Sequence, residues 1–321
     1  MCLSKNKYKK LAIIGNGFDL NHGYKTDYET FAANTPHPSL ERFKAYCETE
    51  KIENWFWFEE NIRILSERLF LKSMSEYCDF DDNRKEVQEL STIFRDIQDL
   101  LNRYLVLETA KKPAEKKPCI EKYLDENTVA VNFNYTKTIE AYTGNVIYIH
   151  GSLDENDILL GYDFREEPCL AQYEDMCWSK IICRESLAFR RHMLRWLRPE
   201  NKLYKKLISG LNAYHHWENT GRGLDVEIKR IIPYYWIIER FLKRYRKNFE
   251  ISGIRFSDVE TLIVLGHGIE ADRVFLKSIV EKCVNLKKVV IYRYHGESDE
   301  SFSAKVAFFS PHCEDVEQVD Y

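Results

Sequence analysis

No apolar stretch in these 321 residues is long enough to cross a bilayer, and the lysine-containing segment from Met1 to Lys10 lacks the apolar core of a secretory leader. The expectation is a soluble, cytoplasmic protein without a membrane partner. Cysteine pairs at redox or metal spacing are also lacking. The nine cysteines, at 2, 47, 78, 119, 169, 177, 183, 283 and 313, form no CxxC and no regular framework, which points to reduced thiols. No spacing of His, Cys, Asp and Glu specifies a metal, and the adjacent His215 and His216 would diverge on a helix, so no catalytic metal is expected. Repeats and low-complexity tracts are missing too; the charged, proline-punctuated stretch Lys111 to Pro118 reads as an exposed loop.

Strong net charge is absent as well. Forty-seven Lys and Arg face 51 Asp and Glu, a balance of -4 that excludes wholesale coating of nucleic acid. The average hides an asymmetry. Between Lys180 and Asn248 there are 17 basic and 6 acidic residues, so this segment carries +11 and the remainder -15. Aromatic residues, among them Trp196, Tyr204, Trp217, Tyr235 and Trp236, interleave with the charges. That composition suits phosphate pairing and base stacking on nucleic acid. The plainer reading is a solvated helical face over an aromatic interior.

What is present starts with Leu11-Ala-Ile-Ile-Gly-Asn-Gly-Phe-Asp-Leu-Asn-His-Gly23, an apolar run that stops at two glycines and turns polar. It reads as a buried strand delivering a loop whose backbone amides, from Gly15 to Phe18, can approach a nucleotide phosphate. Position 20 is Leu where the dinucleotide fingerprint has its third glycine, so an ordinary Rossmann dehydrogenase is excluded. A helical pattern begins at Asp27 and runs out at Asn34. From Leu40 to about Leu107 apolar residues recur at helical spacing, with Phe94, Ile97, Leu101 and Leu105 on one stripe. Trp55-Phe56-Trp57-Phe58 within it reads as aromatic core, or else as a wall of a ligand pocket.

Strand character returns at Thr128 to Phe133, Asn145 to Ile149, Thr261 to Leu265 and Lys288 to Tyr292, with helices expected over Lys137 to Tyr142 and Asp272 to Cys283. The strands end in Asn134-Tyr135-Thr136, His150-Gly151 and Gly266-His267-Gly268. In an open parallel α/β sheet such carboxyl ends share one crevice. A neutral imidazole at His150 can deprotonate water or a ribose hydroxyl, and Asn134 can position it. Plainer roles stay open: Asn134 as a turn residue, His150 as a hydrogen-bonded structural histidine, Asp19 and Asp272 as helix caps.

Taken together, Ile13-Ile-Gly-Asn-Gly-Phe-Asp-Leu-Asn-His-Gly-Tyr-Lys-Thr-Asp, Asn132-Phe-Asn-Tyr-Thr, Ile149-His-Gly and Gly266-His-Gly-Ile-Glu-Ala-Asp resemble the bacteriophage abortive infection AbiH family, and more distantly the SIR2-like NAD-binding domains. The resemblance implies a single SIR2-like, Rossmann-type α/β domain over residues 1–321. It would have a mostly parallel sheet and helical insertions at about 40–107 and 180–250. It implies an antiphage effector that hydrolyses NAD to nicotinamide and ADP-ribose, with Asn134 and His150 catalytic. Gly15, Asn16, Gly17, Phe18, Asp19, Tyr135, Gly266, His267 and Asp272 would contact the nucleotide. A phage-derived trigger and a homo-oligomer fit that role. Two residues depart from the SIR2-like pattern: Asp19 stands at the loop serine and Thr136 at the motif aspartate. The alternatives are a nucleotide sensor without turnover and a nucleic-acid-directed effector using residues 180–248.

Overall fold

Strands buried on both faces carry apolar side chains at consecutive positions. In the computed structural model, which describes residues 8–61, 64–65, 80–153, 158, 160, 255–313 and 315–321, the runs Leu11–Ile14, Val129–Val131 and Leu262–Leu265 are wholly buried. They lie in β1 (Lys10–Ile14), β2 (Thr128–Asn132) and β4 (Thr261–Leu265); β3 (Val146–Tyr148), β5 (Lys288–Arg293) and β6 (Asp315–Asp320) complete a six-stranded sheet. Every pairing is parallel and the order is β3-β2-β1-β4-β5-β6. This is an α/β fold of doubly wound order. The direction of winding reverses between β1 and β4, where such sheets open a crevice at their carboxyl ends.

The twofold side-chain period of a strand sorts the core into two layers. Leu11, Ile13, Val129, Val131, Leu262, Val264, Val289 and Ile291 face one way and pack with Leu276, Ile279, Phe302 and Phe309. Those last four come from helices α6 (Arg273–Val280) and α7 (Asp299–Phe309). Ala12, Ile14, Ala130, Ile263, Leu265, Val290 and Tyr292 face the other way, toward Phe18, Ile120, Leu124, Ile139 and Tyr142. Phe18 belongs to α1 (Asn16–Asn21), Ile120 to α5 (Pro118–Glu121) and Ile139 to a 3-10 turn at Thr138–Ala141. The helix expected over 137–142 is therefore this single tight turn.

The amino ends of the strands carry an ion-paired rim. Lys9 and Lys287 both bind Glu260, Lys10 binds Asp125 at 2.6 Å and Lys288 binds Glu317 at 2.7 Å. Hydrogen bonds from Lys287 and Lys9 hold the Glu260 carboxyl down at about 2. These pairs are solvent-exposed and add little stability individually. β6 escaped the sequence reading because Asp315-Val-Glu-Gln-Val-Asp is an edge strand half open to water, without an apolar run.

The chain divides into two compact units, one of residues 1–36, 98–159 and 245–321, the other of 37–97 and 160–244. The first holds the sheet. It also contains α2 (Tyr28–Asn34), capped by Asp27, whose side chain accepts the Thr30 amide at 2.7 Å. In the second, α3 (Pro38–Thr49) packs Phe43 against Phe58 and against Phe94 of α4 (Phe80–Ala110), at ring separations of 5.6 and 5.2 Å. Of the aromatic quartet, Phe58 is fully buried while Trp57 is 55% exposed. The division at 97/98 falls within α4. The basic segment 180–250 lies outside the described residues.

Among the described residues, one lysine–carboxylate pair is buried on both sides. The Lys305 ammonium on α7, only 3% exposed, binds Glu297 at 2.8 Å, and the Ser301 hydroxyl donates to the same carboxylate at 2.9 Å. Removing Glu297 strands a buried cation, so Glu297→Ala is expected to lower unfolding free energy by roughly 3–5 kcal/mol. The double variant Glu297→Ala/Lys305→Met should recover much of the loss. Urea titration of the two variants checks both expectations.

Candidate functional site

Sheet pairing continues one residue past the strands at their carboxyl ends. The Gly15 amide donates to Leu265 O at 2.9 Å, Phe133 to Ile14 O at 2.9 Å and Ile149 to Asn132 O at 3.0 Å. This shared register delivers Gly15, Asn134, His150 and His267 to the same end of the sheet. Glycine is obligatory where the β1 and β4 loops meet. A Cβ on Gly266, whose φ is +63°, would lie 2.1 Å from the Phe18 nitrogen, and one on Gly15 would lie 2.4 Å from the His267 Cα. A Cβ on Gly17 would approach the Gly266 Cα to 2.9 Å.

The glycines thus let two backbones touch, and that contact uses up donors expected to face a phosphate. Gly17 N–H donates to Gly266 O and Phe18 N–H to Gly15 O, both at 2.9 Å, in addition to the Gly15 bond to Leu265. The Phe18 ring is core, 4.4 Å from the His22 ring. Asn16 is exposed, and its Oδ1 accepts from Thr26 Oγ1 at 2.5 Å.

The turn after β2 is built by Asn132, a residue the sequence reading passed over. Its Oδ1 accepts the Asn134 amide at 3.1 Å and its Nδ2 donates to Thr136 O at 3.0 Å. Asn134 is thereby released from turn duty, and its Nδ2 donates across to Gly15 O at 2.9 Å. Thr136 Oγ1 donates to Asp19 Oδ2 at 2.5 Å. The two departures from the SIR2-like pattern are in contact. Asp19 is 1% exposed and its Oδ1 has no hydrogen-bond partner. Burial pushes its carboxyl up from 3.8 to about 6, against the opposing pull of the neighbouring Thr136, Thr138 and Asn134 side chains.

A second cluster lies at the ends of β3 and β4. Asp272 occupies the N-cap position of α6 but makes no side-chain cap hydrogen bond. Its carboxylate instead sits between two imidazoles, with His150 Nε2 3.8 Å from Oδ1 and His267 Nε2 3.6 Å from Oδ2. All three are buried, at 3%, 3% and 8% exposure for His150, His267 and Asp272. The Phe133 ring packs edge-on against both imidazoles, at 4.3 Å from His267 and 5.5 Å from His150, while Tyr135 lies 6.3 Å from His150. Among the described residues no group of three or more His, Cys, Asp or Glu is arranged to hold a metal ion.

His22, beside the loop, has a structural role. Its Nδ1 faces Phe18 O at 2.7 Å, and a carbonyl only accepts, so Nδ1 carries the proton. Nε2 then accepts from the Tyr142 hydroxyl at 2.8 Å, which itself accepts the Lys117 amide at 2.7 Å. Burial lowers the imidazole's proton affinity, in keeping with a neutral ring.

The raised Asp19 carboxyl links stability to pH. The folded state holds this proton at pH values where the unfolded chain has lost it, so the contribution is present below about 4 and is lost as pH rises through about 6. Across that window Asp19 should cost roughly 3 kcal/mol of stability. Asp19→Asn is expected to flatten this part of the profile, which the difference between wild-type and variant Tm from pH 4 to 7.5 measures.

Among the described residues no helix is long and apolar enough to cross a membrane. Comparison with curated proteins and with solved structures finds no match. The sequence model of one family, bacteriophage abortive infection AbiH, matches residues 11–294, from the first strand through β5 and all four strand-end motifs. The chain belongs to the bacteriophage abortive infection AbiH family, and its role is in abortive infection of phage.

Proposed function

We propose that the carboxyl end of the sheet is a SIR2-like NAD-hydrolysing site and that the protein acts in abortive infection by depleting NAD. The observation that carries this reading is the convergence of the two expected catalytic side chains on the winding reversal: Asn134 bonded to the Gly15 carbonyl, and His150 buried beside Asp272. The exchange at Asp19 and Thr136 supports it further. The SIR2-like pattern has a hydroxyl at the first position and a carboxylate at the second; here the carboxylate comes first, the hydroxyl second, and the two are hydrogen bonded. The chemical pair is kept with its members swapped.

In the reaction the bond from ribose C1′ to the nicotinamide nitrogen breaks, and its electron pair neutralises the pyridinium as nicotinamide leaves. The leaving group needs no proton. Charge develops instead on the ribose as an oxocarbenium ion, and water adds to C1′ while its proton passes to the His150 imidazole. Asn134 orients the water or the ribose hydroxyls, a positioning contribution. Homo-oligomerisation and a phage-derived trigger complete the proposal as partners.

Purified protein incubated with NAD, alone and with phage lysate, should release nicotinamide and ADP-ribose in equal amounts. His150→Gln and Asn134→Ala, checked for folding by circular dichroism, should each lower kcat by about 100-fold or more. Full activity in both variants, or no release under either condition, defeats the reading. Tight NAD binding without products would instead mark a nucleotide sensor.

A further inference from the structure

Leu265, Ile14, Asn132 and Tyr148 stand in register across the sheet at the last position of β2. Into this row of apolar and aromatic side chains Asn132, 1% exposed, puts an amide. A buried amide costs free energy unless each of its polar atoms finds a partner. Both do, and both partners lie in the bend that follows. Oδ1 accepts the Asn134 amide at 3.1 Å and Nδ2 donates to Thr136 O at 3.0 Å. Among the described residues, no main-chain hydrogen bond links two residues of the stretch 133–136. The Asn132 side chain therefore closes the bend in place of the main chain. Two side chains leave the bend from positions that this closure sets. Asn134 Nδ2 reaches Gly15 O at 2.9 Å, and since a carbonyl only accepts, this bond fixes which way the amide faces. Thr136 Oγ1 reaches Asp19 Oδ2 at 2.5 Å.

We propose that Asn132 is a positioning residue: by closing the bend it sets the Asn134 amide on Gly15 and the Thr136 hydroxyl on Asp19, and so places Asn134 for hydrolysis. Its part in catalysis rests on the NAD-hydrolase reading, whereas its hold on Asn134 does not. The bend demands one acceptor and one donor on the same planar group. Asn132→Leu, similar in size, offers neither. Asn132→Asp offers the acceptor at any pH, but only its protonated form has a hydrogen for Thr136 O, and the ionised form sets two acceptors face to face. Burial favours the protonated form, so Asn132→Asp regains the native pattern as pH falls.

Two measurements on the full chain decide the inference, with circular dichroism confirming that each variant is folded. In 15N-labelled protein without nucleotide, the side-chain amide signal of Asn134, assigned by its disappearance in Asn134→Asp, should show one proton shifted and slowed in exchange by its bond to Gly15. In Asn132→Leu that shift and that protection should be lost. An Asn134 signal unchanged in Asn132→Leu overturns the proposal whatever the enzyme does. Nicotinamide release is then followed from about pH 8 to about pH 5.5. Asn132→Leu should lose about 100-fold in kcat at every pH, with KM within about threefold of wild type. Asn132→Asp should match that loss at the alkaline end and regain about tenfold relative to wild type at the acid end. Wild-type kcat in Asn132→Leu overturns the positioning role. Where Asn132→Leu does not fold, Asn132→Asp carries the test, and a ratio to wild type that stays flat with pH overturns the proposal. Absence of nicotinamide release from the wild-type protein defeats the hydrolase reading and with it Asn132's part in catalysis, while the Asn134 signal still decides its hold on that side chain.

Discussion

The close approach of two main chains, the β1 loop and the β4 loop, is the constraint on which the site depends. Three glycines make it possible. Gly266 at positive φ lies so near Phe18 and Gly17 that no side chain fits, and Gly15 lies as near to His267. Once the loops touch, their amides and carbonyls pair, and the contact fixes everything mounted on it. Gly15 O receives Asn134 from the third loop, and the β4 loop carries His267 and Asp272. A looser junction would leave the polar side chains without a common frame.

The two ends of the sheet divide the labour. At the amino ends, lysines and acids pair in water and tolerate change, since exposed ion pairs contribute little. At the carboxyl ends the polar groups are buried and each depends on a specific partner: Asn132 on Asn134 and Thr136, Thr136 on Asp19, Asp272 on two imidazoles. Burial makes these interactions strong when satisfied and costly when not. The raised proton affinity of Asp19 is that cost made measurable.

Much of this was legible in the sequence, for a physical reason. A parallel sheet announces itself by continuous apolar runs, and five of the six strands carry them; β6, half open to water, does not. The polar residues at strand ends stand out because they interrupt such runs, which is why Asn134, His150 and His267 are candidates from the sequence. Partnerships were another matter. Asn132 ends an apolar run just as Asn134 does, and only the fold shows that Asn132 makes the turn while Asn134 reaches Gly15. Asp272 read equally well as a cap, because sequence locates a carboxylate near a helix start but not the direction it faces. The contact between Asp19 and Thr136, 117 residues apart, has no local signature.

The glycine loop's meaning also shifts once its donors are counted. A glycine pair after a first strand suggests amides held out to a phosphate, yet the amides of Gly15, Gly17 and Phe18 are all committed within the protein. Among the described residues, buried side-chain atoms without a partner at this end of the sheet include Asp19 Oδ1 and His267 Nδ1. Each unsatisfied buried atom costs about 1–3 kcal/mol, a cost that a hydrogen-bonding partner relieves. The loop that resembled a phosphate cradle is therefore better understood as a floor, whose paired main chains hold the polar side chains of the neighbouring strand ends in place.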